Sequence, residues 1–113
     1  IFNQDGTGMK RLSKHSGGGH PRVTTDTKWL ITDAYTRQKQ FVNDRGEVKI
    51  RLIDLVSDEE EALCYVYTPP LHIYGTLRND PHPMWSRDYK KVLFCGTPQG
   101  KREVFIADLS DIV

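Results

Sequence analysis

The residues of this chain best suited to chemistry are histidine, aspartate and arginine, and they gather in two short segments. His20 opens "HPRVTTDTKWL"; His82 opens "HPMWSRDYKKV", with Asp80 two residues before it. Imidazole combined with carboxylate is a donor set that suits a transition metal such as manganese or zinc. Arg22 and Arg78 lie close to these histidines in sequence, and a guanidinium can grip a carboxylate with two parallel hydrogen bonds. His15 reads as a surface turn residue. No nucleophile motif, paired-carboxylate site or phosphate-binding glycine loop is present, and "DGTG" at residues 5–8 has the composition of a hairpin turn.

Whether the histidines can meet depends on the elements that carry them. The two segments repeat each other: His20/His82, Pro21/Pro83, Asp26/Asp88 and Lys28/Lys90 all match at a spacing of 62 residues. An apolar run follows in each, Trp29-Leu30-Ile31 and Val92-Leu93-Phe94. Further on, "RLIDL" at Arg51–Leu55 matches "FIADL" at Phe105–Leu109, now 54 residues apart, so the first copy holds about eight extra residues. "RQKQFVNDRG" is the polar stretch able to absorb them, as repeat architectures allow. Helical periodicity is poor, and six prolines and nine glycines punctuate the chain. Strands are expected at Met9–Ser13, Arg22–Thr24, Lys28–Tyr35, Val48–Leu55, Ala62–Tyr67, Met84–Ser86, Lys91–Cys95 and Glu103–Leu109. Glu59–Glu61 reads as a charged turn.

Composition narrows the partners. A chain of 113 residues suits one ordinary domain. A net charge of +1 gives no electrostatic case for nucleic acid. No apolar run approaches the roughly 18–20 residues needed to span a bilayer, so no membrane partner is expected. The chain opens on Ile1, which reads as an excerpt of something longer. Cys64 and Cys95 each sit in an apolar run and read as buried thiols; a disulfide between them stays open as the alternative.

"HPMWSRDYKKVLFCGTPQGKREVFIADLS" resembles the blade repeat of TolB-type β-propellers, in which a His/Pro-Trp-Ser-x-Asp-Gly-Lys hairpin leads into an apolar strand and then a strand ending in Asp-Leu. "NQDGTGMKRLS" is similar to the outer hairpin that closes such a blade, so the resemblance covers essentially the whole chain. Thr27 and Tyr89 stand where the repeat usually has glycine, while Asp26 and Asp88 remain to cap the turn. The resemblance implies an all-β fold, a fragment of a propeller with four-stranded antiparallel blades. Residues 1–19 would end a preceding blade, 20–70 would form a complete blade, and 71–113 a linker and three strands of the next. Propellers close with about four to eight blades. The expected partners are therefore the remaining blades or other copies of the chain.

In a propeller the first strand of each blade lines the central channel, which implies that His20 and His82 face one axial site with Asp80. "LRNDPHPMWS" is also similar to the "QxxHPHP" stretch of oligogalacturonate lyases. His82 falls on its second histidine and His20 on a metal-binding histidine one blade earlier. Asp80 replaces the first motif histidine and Leu77 the glutamine. This resemblance implies His20, His82 and Asp80 as ligands of a divalent cation (manganese, zinc or calcium). It further implies Arg22, Arg78, His72 and Tyr74, assisted by Tyr35, around an acidic oligosaccharide. The implied reaction is β-elimination on a uronate sugar, in a periplasmic or secreted protein. The alternative from a different class is a non-catalytic propeller scaffold that binds a protein or glycan.

Overall fold

A computed structural model describes residues 1–70 and 78–113. His72 and Tyr74, expected near a substrate, lie outside the described residues. Among the described residues seven strands form: β1 (Arg22–Val23), β2 (Trp29–Thr32), β3 (Glu47–Asp54), β4 (Glu59–Tyr67), β5 (Met84–Trp85), β6 (Lys91–Gly96) and β7 (Glu103–Asp108). They build two antiparallel meanders, a four-stranded sheet β1-β2-β3-β4 and a three-stranded sheet β5-β6-β7. The described residues contain no α-helix, and no helix among them is long and apolar enough to cross a membrane. The fold is all-β.

The repeat in the sequence is a repeat in the hydrogen bonds. In the first hairpin Thr24 N–H donates to the Trp29 carbonyl, and Thr24 Oγ1–H and Lys28 N–H both donate to Asp26 Oδ1. In the second, Ser86 N–H donates to the Lys91 carbonyl, and Ser86 Oγ–H and Lys90 N–H both donate to Asp88 Oδ1. The next ladder keeps the same register, Trp29 facing Asp54 and Lys91 facing Asp108. The aspartates that cap these turns titrate below the usual carboxylate range because the hydroxyl of Thr24 or Ser86 donates to them.

Thr27 and Tyr89, at the glycine position of the repeat, take φ of 56° and 58°. This left-handed region costs an L-residue roughly 1–2 kcal/mol, most for a β-branched one. Glycine would relieve that strain but lose about 0.5–1 kcal/mol in chain entropy. Thr27→Gly is therefore expected to raise stability by about 0.5–1 kcal/mol, read as a higher urea midpoint at unchanged slope. Tyr89 is the poorer test, because its ring packs edge-on against Trp85.

Two expectations are corrected. Glu59–Glu61 is not a turn but the start of β4; the chain reverses over residues 55–58, where Asp58 takes φ of 58°. The reason is Arg51, which draws Glu60 into the sheet as its partner. Met9–Ser13 is not a strand. The hairpin turn through Asp5-Gly6 does form, with Gly6 N–H on the Asn3 carbonyl and Asn3 N–H on the Thr7 carbonyl, but among the described residues the backbone of Met9–Ser13 pairs across it only where Lys10 meets Ile1. The extra residues of the first copy lie where the sequence puts them, in a 3-10 turn at Lys39–Phe41 and a tight turn closed by Gly46 N–H on the Asn43 carbonyl.

The sheets stack face to face. Val48, Ile50 and Leu52 alternate along β3 onto one face, where Ile31 and Val66 join them, and the second sheet covers that face with Val92, Phe94 and Leu109. Trp85 Nε1–H donates to the Arg22 carbonyl, and Thr97 N–H to that of Tyr67, tying the two sheets at separate points. Gly96 allows β6 to pass beside β4, since a Cβ there would collide with Val66. The outer face of the second sheet stays open, with Val104 and Ile106 about two-thirds exposed.

Candidate functional site

His20 and His82 each stand just ahead of the first strand of a sheet, and sheet stacking brings them together. Their rings stack with centroids 3.6 Å apart and planes 25° from parallel. The Tyr35 ring packs edge-on against His20 at 5.8 Å.

Asp33, which the sequence reasoning missed, holds the pair in place. It follows β2 and is fully buried. Its Oδ1 accepts the backbone N–H of His20 at 2.7 Å, and its Oδ2 accepts the backbone N–H of His82 at 2.9 Å. His20 Nδ1–H also donates to it, at 3.0 Å to Oδ2. One carboxylate thus anchors two residues 62 positions apart. With the hydrogen on Nδ1, the lone pair of His20 lies on Nε2, the arrangement in which a carboxylate orients a metal-binding imidazole. A Cβ on Gly19 would collide with the Asp33 carbonyl and Oδ1, so only glycine lets the chain approach this closely.

His82 carries strain. Its φ is 47°, although it precedes Pro83, a position that favours extended backbone. The bond from its N–H to Asp33 holds it there. A non-glycine residue kept in this region costs roughly 1–3 kcal/mol, and such residues cluster at sites of function.

Asp80 completes the group: its carboxylate lies 4.0 Å from His82 Nε2, and one donor atom from each of His20, Asp80 and His82 lies within 4.8 Å of the others. Arg78 pairs with Asp80 Oδ2 through Nε at 2.6 Å and through Nη2, and that bond raises the pKa of the guanidinium. Arg78 also lies over the Tyr35 ring, as does Arg37. The structure therefore joins four of the anticipated residues, His20, His82, Asp80 and Arg78, with Tyr35 beside them. It does not join Arg22, which is exposed on β1 and forms no ion pair among the described residues.

Next to this group opens a cavity of about 460 Å³ lined by Arg78, Asn79, Asp80, His82, Cys95 and Arg102. Cys95 stands where the first copy of the repeat has Asp33. Both cysteines are half-buried free thiols, and burial pushes Cys64 up to about 11, which leaves it inert as a nucleophile.

No protein-family model, curated protein or solved structure matches this chain.

Proposed function

We propose that this chain is part of a carbohydrate-active β-propeller, and that His20, His82 and Asp80 are its divalent-cation ligands. The observation that carries the reading is the stacked imidazole pair clamped by one buried carboxylate beside Asp80.

The propeller part rests on the faces of the sheets. Leu93, Val104 and Ile106, exposed on the second sheet, stand where the first copy has Ile31, Ile50 and Leu52, which the second sheet buries. The same positions are covered in one unit and open in the next. A further sheet of the same kind is what the repeat would place there, as blades cover one another in a propeller.

The donors fit a cation. Bonds of about 2.0–2.2 Å require ligand atoms to close to roughly 4 Å or less, a small movement from the spacing present. Nε2 of His20 forms no hydrogen bond among the described residues, and Asp80 pairs with Arg78 through Oδ2 alone, leaving Oδ1 for a cation. Two imidazoles favour manganese or zinc over calcium, which prefers an all-oxygen shell. A bound cation would neutralise a uronate carboxylate and so acidify the neighbouring C–H, the demand of β-elimination. Within the chain, Asp33 orients His20 and fixes the backbone of His82, and Arg78 holds Asp80 and offers its remaining N–H groups to substrate.

Isothermal titration of the full chain with Mn²⁺ or Zn²⁺ tests the reading. A single site is expected, lost in His82→Ala while the circular dichroism spectrum stays that of the parent. Equal binding by His82→Ala, or none by the parent chain, would remove the cation site.

A further inference from the structure

Two of the three proposed cation ligands are joined through one aromatic ring. Tyr35 is half-buried just beyond β2, and its ring stands edge-on to His20, centroids 5.8 Å apart and planes 79° from parallel. Edge-to-face is an attractive arrangement for two rings. The guanidinium of Arg78 lies 5.3 Å from the centre of the same ring, within the reach of a cation–π contact. Arg78 in turn holds Asp80 through Nε and Nη2. Tyr35 therefore meets one ligand directly and reaches a second through a single intermediate.

The loop that carries Tyr35 fixes it. Gln38 N–H donates to the Tyr35 carbonyl and Gln38 Oε1 accepts the Tyr35 N–H, both at 2.8 Å, so the turn is closed from both ends. Gly18, two residues before His20, leaves room for this glutamine, since a Cβ there would collide with its Nε2. The repeat supplies an independent sign. At the 62-residue spacing Tyr35 matches Thr97, just as Asp33 matches Cys95. Of the two copies, only the first places a carboxylate and an aromatic ring at these positions, and both act on His20.

We infer that Tyr35 is a positioning residue of the cation site, its ring setting the imidazole of His20 relative to the Arg78–Asp80 pair. One hydrogen bond at Nδ1 leaves an imidazole free to tilt about it. Contacts with the His82 and Tyr35 rings remove that freedom. The role belongs to the ring and not to the hydroxyl. The inference rests on the proposed cation site for its consequence, but the contacts themselves need no metal, so the two can be tested apart.

The full chain, stripped of metal over a chelating resin, is followed by NMR through its histidine ring signals, beside Tyr35→Leu and Tyr35→Phe. In the parent, nuclear Overhauser contacts between the Tyr35 and His20 rings are expected. Tyr35→Leu should displace the His20 ring signals and the Arg78 Nε–H signal, and Tyr35→Phe should return both to their parent positions. Titration with Mn²⁺ should then show about tenfold weaker binding by Tyr35→Leu, the scale for disturbing a group behind a metal ligand, and parent-like binding by Tyr35→Phe. Tyr35 lies outside the apolar core cluster, so both variants are expected to fold, and the Overhauser contacts test the parent without any substitution. Absence of those contacts, unchanged ring signals in Tyr35→Leu, or a Tyr35→Phe as defective as Tyr35→Leu overturns the inference. If Tyr35→Leu binds Mn²⁺ as tightly as the parent, the positioning role is wrong and the cation site stands. If the ring signals respond as expected but the parent binds no Mn²⁺, the ring still positions His20 and the cation reading alone falls.

Discussion

Arg51→Ala is expected to destabilise the chain by about 3–5 kcal/mol, the cost of leaving a buried carboxylate without its partner. Arg51 lies on β3, 1% exposed, in the middle of the four-stranded sheet. Its Nε and Nη2 donate to the two oxygens of Glu60 at 3.0 and 2.7 Å, its Nη1 to the Ser16 carbonyl at 3.1 Å, and Phe41 covers its guanidinium at 4.0 Å. Lys49 donates to the same carboxylate, and His15 lies 3.3 Å from it. The network also fastens the first nineteen residues, since Ser13 and Lys14 bond to Asp58 at the mouth of β4. Urea denaturation of the variant measures the loss; a change under about 1 kcal/mol would show that water replaces the guanidinium freely.

Acid gives an independent reading of the same pair. Burial by itself would raise the Glu60 pKa, but the bonds from Arg51 and Lys49 outweigh it and hold the group at about 2, below its ordinary 4.5. A depressed folded-state pKa stabilises the chain above the unfolded value, and that stabilisation disappears as pH falls through the folded one. The contribution, about 3 kcal/mol from the size of the shift, should be intact above about pH 4.5 and vanish as pH drops toward 2. Glu60→Gln should flatten that part of the stability–pH curve.

The second large effect is at Asp33. Asp33→Ala leaves two backbone N–H groups and the His20 Nδ1–H without an acceptor in a buried setting, and is expected to cost about 3–5 kcal/mol. Asp33→Asn should cost less, because its amide oxygen can still accept one of the three. In a chain that binds Mn²⁺ as proposed, Asp33→Asn should also weaken that binding by about 10–100-fold, the usual consequence of disturbing the group behind a metal-binding imidazole. Unfolding curves together with calorimetric titration separate the two outcomes. If Asp33→Ala unfolds within about 1 kcal/mol of the parent, the carboxylate does not clamp the histidines.

These residues mark the limit of what the sequence by itself determined. It specified the all-β class, the 62-residue repeat and the equivalence of His20 with His82. It also specified the two Asp-capped hairpins and the loop that absorbs the insertion. Each is local: alternation and turn chemistry act within a few residues, so the text of the chain contains the whole cause.

Tertiary structure alone decided the rest. Glu60 in a run of three glutamates reads as solvent-facing until Arg51 is known to lie diagonally from it on the neighbouring strand, within reach of both its oxygens. Asp33 reads as the polar end of a strand until sheet stacking delivers the His82 backbone to its second oxygen. The one available hint was internal, since Asp33 and Cys95 differ at matching places in the repeat. Asn79 shows no signal at all in the sequence, because its burial is decided by what packs around it. A buried polar group is stable only through partners brought from elsewhere in the chain, and those partners are fixed by how the sheets pack rather than by neighbours in sequence.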